Sequence, residues 1–276
     1  MSYLITKNAP FGLIITKKSL VADSYIDIQQ LKELIQDQHL IVLRDFYHFT
    51  TTADFIKFCE AWGTISLWPF GKVLDLVQKP HPQDHIFSNS AIPFHWDGMY
   101  RPQIPALQIF NCLAAPPASA GGKTFFSNTR TVLSAVPKKI KHFWQQIKIA
   151  YQREMEFYQS TTLSPLIVQH PFADYDVIRY SAPHETGTDF INPSKFTYYG
   201  IDAAKNSDLH QSLAQALYAK DHYYAHQWQA GDIVIADNFT LLHGREAFTT
   251  NAPRHIQRVH IESNPAYSNS ALVAYQ

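Results

Sequence analysis

The sequence predicts a mainly β protein, a sandwich or barrel with flanking helices in a single domain. Three observations predict it. Short apolar, β-branched runs occur in both halves, among them "LIVLRDF" (40–46), "PALQIFNCL" (105–113), "GDIVIADN" (231–238) and "RHIQRVHIE" (254–262). Such runs read as strands. Helical patterns are few and do not alternate with the strands, which argues against a parallel βαβ sheet. No internal repeat or low-complexity linker divides the chain. Its 276 residues, 46% of them hydrophobic, suffice for one large core.

Taken in order, "LIVLRDF" is a buried strand. "TTADFIKFCEAWG" (51–63) is a helix: Thr51 or Thr52 caps it, Phe55, Phe58 and Trp62 recur at helical spacing, and Gly63 ends it. "PALQIFNCL" alternates like a strand. "TVLSAVPKKIKHFWQQIK" (131–148) is helical, with Pro137 as a break or a new start. Residues 150–206 are rich in Tyr, Pro, Ser and Thr and weakly periodic. They read as long loops with short strands, a lid over a site more than a core. "DLHQSLAQALYAK" (208–220) is an amphipathic helix, and the last two apolar runs are strands.

Composition narrows the function. Lys+Arg and Asp+Glu balance at 23 each, which argues against a nucleic-acid partner. Two cysteines, Cys59 and Cys112, make no disulfide framework and suit a reducing cytoplasm. "MSYLITKNAPFGLIITKK" lacks the basic start and continuous apolar core of a signal peptide. No run approaches the roughly 20 apolar residues of a membrane span. The expectation is a cytoplasmic protein acting on a small molecule.

"AGGKTFF" (120–126) ends like a phosphate-binding Walker A loop. That loop needs a glycine five positions before Gly122, where this chain has Pro117. Proline lacks an N–H and fixes φ. The aromatic stretch after Lys123-Thr124 is strand-like where the motif needs a helix, so the nucleotide reading fails.

Metal-binding side chains give a better lead. In "PFHWDGMY" (93–100), His95 and Asp97 are i and i+2, so on a strand both point to one side. Alone, H-x-D is weak and equally describes a surface His near a turn Asp. His243 follows an apolar strand in "LLHGREAF". Together the three would complete the two-histidine, one-carboxylate face of non-haem Fe(II) oxygenases. Arg254 lies eleven positions beyond His243 and Arg258 four beyond that. On one strand both guanidiniums would project to the same side, suited to gripping carboxylates.

H-x-D, a distant H-G-R and arginines at these spacings resemble the taurine dioxygenase-type Fe(II)/2-oxoglutarate oxygenases. "LIVLRDF", "FCEAWG", "HWD", "GGKTFFSNT" and "LLHGREAF" occur in that family's order over nearly the whole chain. The resemblance implies a double-stranded β-helix (jelly roll), with His95, Asp97 and His243 as iron ligands. It also implies that Arg254 and Thr124 bind the distal carboxylate of 2-oxoglutarate, with O2 as the second cosubstrate. "WPFGKVLDLV", "DHIFSNSAIPFHWDGMY" and "HYYAHQWQAGDIVIADNFTLLHGREAF" further resemble bacterial isonitrile-pathway oxygenases, which desaturate L-tyrosine isonitrile beside an isonitrile synthase. That resemblance implies the same reaction, with or without loss of the substrate carboxylate. A hydroxylase of another small acid on the same scaffold is the alternative. A non-catalytic metal-dependent binding domain is a more distant one.

Departures from the taurine enzyme agree. Its sulfonate-binding Asn, four residues before the first iron-binding His, is replaced by Ala91. "SLWPFG" (66–71) lacks the polar His and Tyr of that site, so an aromatic pocket is expected. Tyr100 is a pocket candidate. Arg258 would hold the substrate carboxylate or serve structure alone. Two decoys remain. His260-Ile-Glu262 copies the H-x-D geometry beyond both arginines, where no family ligand falls. His222 and His226 have a spacing that binds zinc on a helix, but they lack the Glu of H-E-x-x-H.

Overall fold

The computed structural model of the protein describes residues 3–18, 26–49, 51–155, 158–184, 190–249 and 252–275. Met1 and Ser2 of the N-terminal stretch lie outside them. The chain opens with β1 (Tyr3–Lys7), β2 (Leu13–Lys17), helix α1 (Ile28–Gln38), β3 (Leu40–Arg44), helix α2 (Thr52–Glu60), β4 (Leu74–Val77) and β5 (Ile92–His95). Then come β6 (Leu107–Ala114), β7 (Thr124–Asn128), helices α3 (Thr129–Ala135) and α4 (Lys138–Gln145), β8 (Lys148–Met155) and β9 (Tyr158–Pro165). β10 (Ile167–Gln169), β11 (Asp176–Ile178), β12 (Lys195–Tyr199) and helix α5 (Asn206–Leu217) follow. The last strands are β13 (Tyr223–His226), β14 (Ile233–Asp237), β15 (Leu241–Arg245), β16 (His255–Ile261) and β17 (Leu272–Tyr275).

Local signals explain the helices. Thr51 caps α2, accepting from the Asp54 N–H while the Asp54 side chain accepts from the Thr51 N–H, a reciprocal capping box. Pro137 splits the 131–148 pattern, because α3 ends before it and α4 begins after it.

Two sheets face each other. The larger has the order β1-β2-β3-β14-β6-β16-β4 and the smaller β13-β7-β15-β5. All their pairings are antiparallel except β2 with β3. Alternation assigns the two faces of each strand. From β3, Leu40 and Val42 point inward with Phe110, Phe126, Trp228, Leu241 and Ile256. Ile41 and Leu43 point outward, where Leu31 and Ile35 of α1 and Phe55 and Phe58 of α2 cover them. Both faces of β3 are buried, which is why its sequence reads as one continuous apolar run. This sandwich is the jelly roll, with the flanking helices the sequence predicts.

A third sheet, β12-β8-β9-β17, packs with α3, α4 and α5 around Trp144, Tyr151, Tyr180, Leu209 and Leu213. The expectation of long loops with short strands over 150–206 holds only in part for the described residues: 170–175, 179–184 and 190–194 carry no strand, but β8 and β9 are long and belong to a core; 156–157 and 185–189 lie outside them. β8 and β9 pair over eight positions, and Tyr151 and Ile178 are fully buried. The physical reason lies in β9. Ser160, Thr162 and Ser164 are buried there, and their hydroxyls donate to the carbonyls of Ala274, Met99 and Pro165. A strand that buries hydroxyls shows no apolar alternation. Cys59 and Cys112 are buried free thiols, pushed up in pKa chiefly by burial, Cys112 to about 12. No helix among the described residues is long and apolar enough to cross a membrane.

Candidate metal centre

The strand β5 ends at His95, and its pairing with β15 sets His243 directly opposite, with ring centroids 4.1 Å apart. Asp97 follows two residues later. Its Oδ1 lies 3.8 Å from His95 Nε2 and its Oδ2 3.7 Å from His243 Nε2. Ligand atoms of the three all fall within 4.8 Å of one another. The approach of β5 to β15 requires Gly244. A Cβ there would lie 2.3 Å from Phe125 Cε2 and 2.6 Å from the Ile92 oxygen.

Neighbours fix each ligand. His95 Nδ1 is 2.9 Å from the Pro93 carbonyl oxygen, so it donates there and Nε2 keeps its lone pair for a metal. Asn238 grips the Asp97 backbone on both sides, accepting from its N–H at 3.0 Å and donating to its carbonyl at 2.9 Å. The Asp97 side chain is held through Oδ2, which accepts from Gln108 Nε2 at 2.6 Å, Arg258 Nη1 at 2.7 Å and His260 Nε2 at 2.8 Å.

Charge follows from this packing. Burial raises the Asp97 carboxyl, but the Arg258 charge and the His260 hydrogen bond overcome it and leave it well below the usual carboxylate range. Burial lowers His95 against the opposing Asp97 charge and Pro93 hydrogen bond, and burial drives His243 well below the ordinary imidazole value although Asp97 opposes it there too. An ionised carboxylate beside two neutral imidazoles is the protonation state that a divalent cation requires. The donor set fits Fe(II).

A second polar group lies further along the inner face. On β7, Phe126 pairs with His243 and Thr124 with Arg245, so Thr124 stands two positions away on the same inward side. Arg254, just before β16, donates through Nε to the Gly122 oxygen at 3.0 Å, and its Nη2 lies 3.4 Å from Thr124 Oγ1. Trp228 Nε1 donates to the same oxygen at 3.0 Å. With two donors aimed at its oxygen, the Thr124 hydroxyl keeps its own hydrogen for an acceptor. Arg254 Nη1 is buried with no hydrogen-bond partner among the described residues. Burial lowers the guanidinium to about 10, so it stays charged at neutral pH. A buried cation with an orphaned donor beside a free hydroxyl hydrogen fits a carboxylate such as that of 2-oxoglutarate. The double glycine serves this arrangement, since a Cβ on Gly122, at φ +80°, would sit 3.1 Å from Arg254 Cδ.

A cavity of about 320 Å³ opens beside His95 and Asp97. Trp68, Phe70, Phe87, Trp96, Tyr100 and Phe190 supply its aromatic walls, as "SLWPFG" predicts. Tyr100 donates to Ser194 Oγ at 2.8 Å. Arg258 lines the cavity as well as bonding Asp97.

The decoys resolve differently. His260 falls outside the three-ligand cluster, yet it bonds Asp97 and so touches the site after all. Glu262 turns away to Ser66. "HYYAH" forms β13 and the residue before it, with His222 at Thr131 and His226 at Asp232. Lys123 approaches Glu246 at 4.0 Å.

Sequence reasoning missed Gln108, Asn238, Arg245, Trp228 and Arg153. A signal existed for Gln108, one of two amides inside an otherwise apolar strand. Arg245 was visible in "HGR" without a role. Buried, it donates to the carbonyls of Ile86, Ser88 and Ser90 and so ties down the segment leading into β5.

Two histidines and a carboxylate on the inner face of a jelly roll, beside a buried arginine, define the class of non-haem iron oxygenases that open a metal face to an acidic cosubstrate. The chain belongs to the taurine catabolism dioxygenase TauD, TfdA family, which residues 9–260 match. It is 42% identical over 245 residues to a tyrosine isonitrile desaturase of Pseudomonas aeruginosa, covering 88% of this chain and 84% of that protein. It is 34% identical over 254 residues to the 3-((Z)-2-isocyanoethenyl)-1H-indole synthase of Fischerella ambigua, covering 91% and 93%. Among solved structures, PvcB, an Fe, alpha-ketoglutarate dependent oxygenase from an isonitrile synthetic pathway, superposes with a TM-score of 0.81 at 34% identity, over 99% of this chain and 97% of that one.

Proposed function

We propose that the chain is an Fe(II)- and 2-oxoglutarate-dependent oxygenase that desaturates an amino-acid-derived isonitrile, L-tyrosine isonitrile. The observation that carries the substrate is the 42% identity to a tyrosine isonitrile desaturase along most of both chains, and the aromatic cavity beside the triad supports it. His95, Asp97 and His243 would hold the iron, and Thr124 and Arg254 the distal carboxylate of 2-oxoglutarate. When bound, this pair supplies with O2 the oxidant that removes two hydrogens from the substrate side chain, leaving succinate, CO2 and water. The protein's part is to place the C–H bond and exclude solvent. Trp68, Phe70 and Phe190 enclose the ring, Tyr100 closes the cavity through Ser194, and Arg258 stands at the triad's edge, where the substrate carboxylate arrives.

The substrate is then the product of an isonitrile synthase acting earlier in the same cytoplasm, without a stable complex. The chain works as one domain over 1–276, with part of 150–206 walling the site. The test is incubation with Fe(II), 2-oxoglutarate, O2 and L-tyrosine isonitrile. Succinate equal to a product lighter by two hydrogens supports the proposal, and the product's mass also reads whether the carboxylate leaves. A product heavier by one oxygen points to the hydroxylase, and uncoupled succinate sinks the substrate assignment.

A further inference from the structure

One wall of the cavity carries polar side chains among the aromatic ones. His85, which precedes β5, and Arg153 on β8 line it, while Asp84, next to His85 in sequence, holds Arg153 without lining the cavity itself. Asp84 is 4% exposed, His85 7% and the Arg153 side chain 12%. Arg153 Nη2 donates to Asp84 Oδ2 at 2.5 Å and lies 3.1 Å from His85 Nδ1. Its Nε is buried with no hydrogen-bond partner among the described residues. Phe190 stacks on His85 with centroids 4.4 Å apart. Burying an ion pair costs desolvation, so placing its arginine in the lining of a cavity calls for a reason.

Charge limits what this cluster can take. Asp84 offsets Arg153, and burial followed by the Arg153 charge holds His85 far below the usual imidazole value, so its ring is neutral. A carboxylate entering there would meet a guanidinium that Asp84 already neutralises. A neutral hydroxyl meets no such mismatch, because it accepts from the guanidinium and donates to the neutral imidazole. Position agrees. In L-tyrosine isonitrile the carboxylate lies two bonds from the benzylic carbon, and the phenol oxygen lies across the ring. Arg258 bonds Asp97 of the triad, which suits the near end. Arg153 bonds Asp84 and His85 instead, which suits the far end.

Resting on the desaturase reading, we propose that His85 and Arg153, the latter held by Asp84, form the subsite for the substrate's para-hydroxyl and so select a phenol over an unsubstituted phenyl ring. The experiment compares kcat/KM for L-tyrosine isonitrile and L-phenylalanine isonitrile in the wild type, Arg153→Met and His85→Phe. A ratio measured within one preparation does not depend on how much of it is folded. The wild type is expected to favour the phenol by at least about tenfold, since buried polar groups left unpaired reject the analogue that lacks its partner. Both variants should lower that ratio at least about fivefold, the worth of one hydrogen bond of about 1 kcal/mol, with the loss falling on the phenolic substrate. Equal losses on both substrates would assign Arg153 to the carboxylate or to the fold and overturn the subsite. Equal turnover of the two compounds by the wild type would overturn it too. A wild type that desaturates neither compound overturns the parent reading, and the subsite falls with it.

Discussion

The jelly roll and the third sheet divide the work of the site unequally. The jelly roll contributes the triad, Thr124 and Arg254 from β5, β7, β15 and the approach to β16. The third sheet and the segment leading into β12 contribute Arg153, Phe190, Ser194 and Phe196, which line the cavity and stand outside the metal triad. On the proposed reading, reaction chemistry then belongs to a scaffold of paired strands, and part of the substrate pocket to the layer added outside it. If the division is real, substitutions in the jelly roll should disturb metal or cosubstrate, and substitutions in the added sheet should spare both.

The largest effect is expected at His95→Ala. Removing one of three ligands should abolish Fe(II) binding, read by metal titration, and turnover with it. Retained iron and coupled succinate would break the comparison at its root. Arg254→Met should come next, raising the KM for 2-oxoglutarate by about 30-fold or more, roughly 2 kcal/mol for a buried charged partner. Iron affinity without cosubstrate should stay unchanged, and a shift in it would erase the line between the two groups of the jelly roll.

His260→Phe sharpens the boundary of the metal group. The imidazole donates to Asp97 Oδ2 from beside Trp68, with ring centroids 5.1 Å apart, so the variant keeps the packing and removes the donor. Metal affinity should fall by about tenfold, the lower range for a residue that orients a ligand. Thr124→Val should weaken 2-oxoglutarate binding about fivefold, near 1 kcal/mol, with iron binding nearly intact. An unchanged cosubstrate affinity would remove Thr124 from the assignment.

The same division explains what the sequence made legible. His95, Asp97, His243, Thr124 and Arg254 lie on or beside strands with strong apolar patterns, so spacing along the chain translated into position on a face. Asn238 and His260 join Asp97 through contacts across 141 and 163 residues, Gln108 reaches it from β6, the next strand in the chain, and spacing carries no trace of such pairings. Their signal was chemical alone, polar groups where the fold allows little water. The 150–206 segment hides its two long strands in the sequence for a related reason. Its strands bury Ser and Thr hydroxyls against main-chain carbonyls, and Arg153 faces a cavity in place of solvent. Polarity there marks satisfied hydrogen bonds, not exposure.

Thr162→Val puts that last point to the smallest test. Thr162 is fully buried on β9, and its hydroxyl donates to the Met99 carbonyl, beside the strand that carries the metal ligands. Valine has nearly the same shape and removes the donor. The Met99 oxygen keeps a second donor, Asn269 Nδ2 at 2.9 Å, so no carbonyl is left orphaned. The loss should be about 1 kcal/mol of unfolding free energy, read from a denaturant midpoint at unchanged slope. Iron and 2-oxoglutarate affinities should not move, because the contact joins the added sheet to the loop after Asp97 and not to the ligands themselves. A tenfold fall in metal affinity would show that the third sheet holds the triad in place as well as walling the cavity, and the two regions would then have to be treated as one.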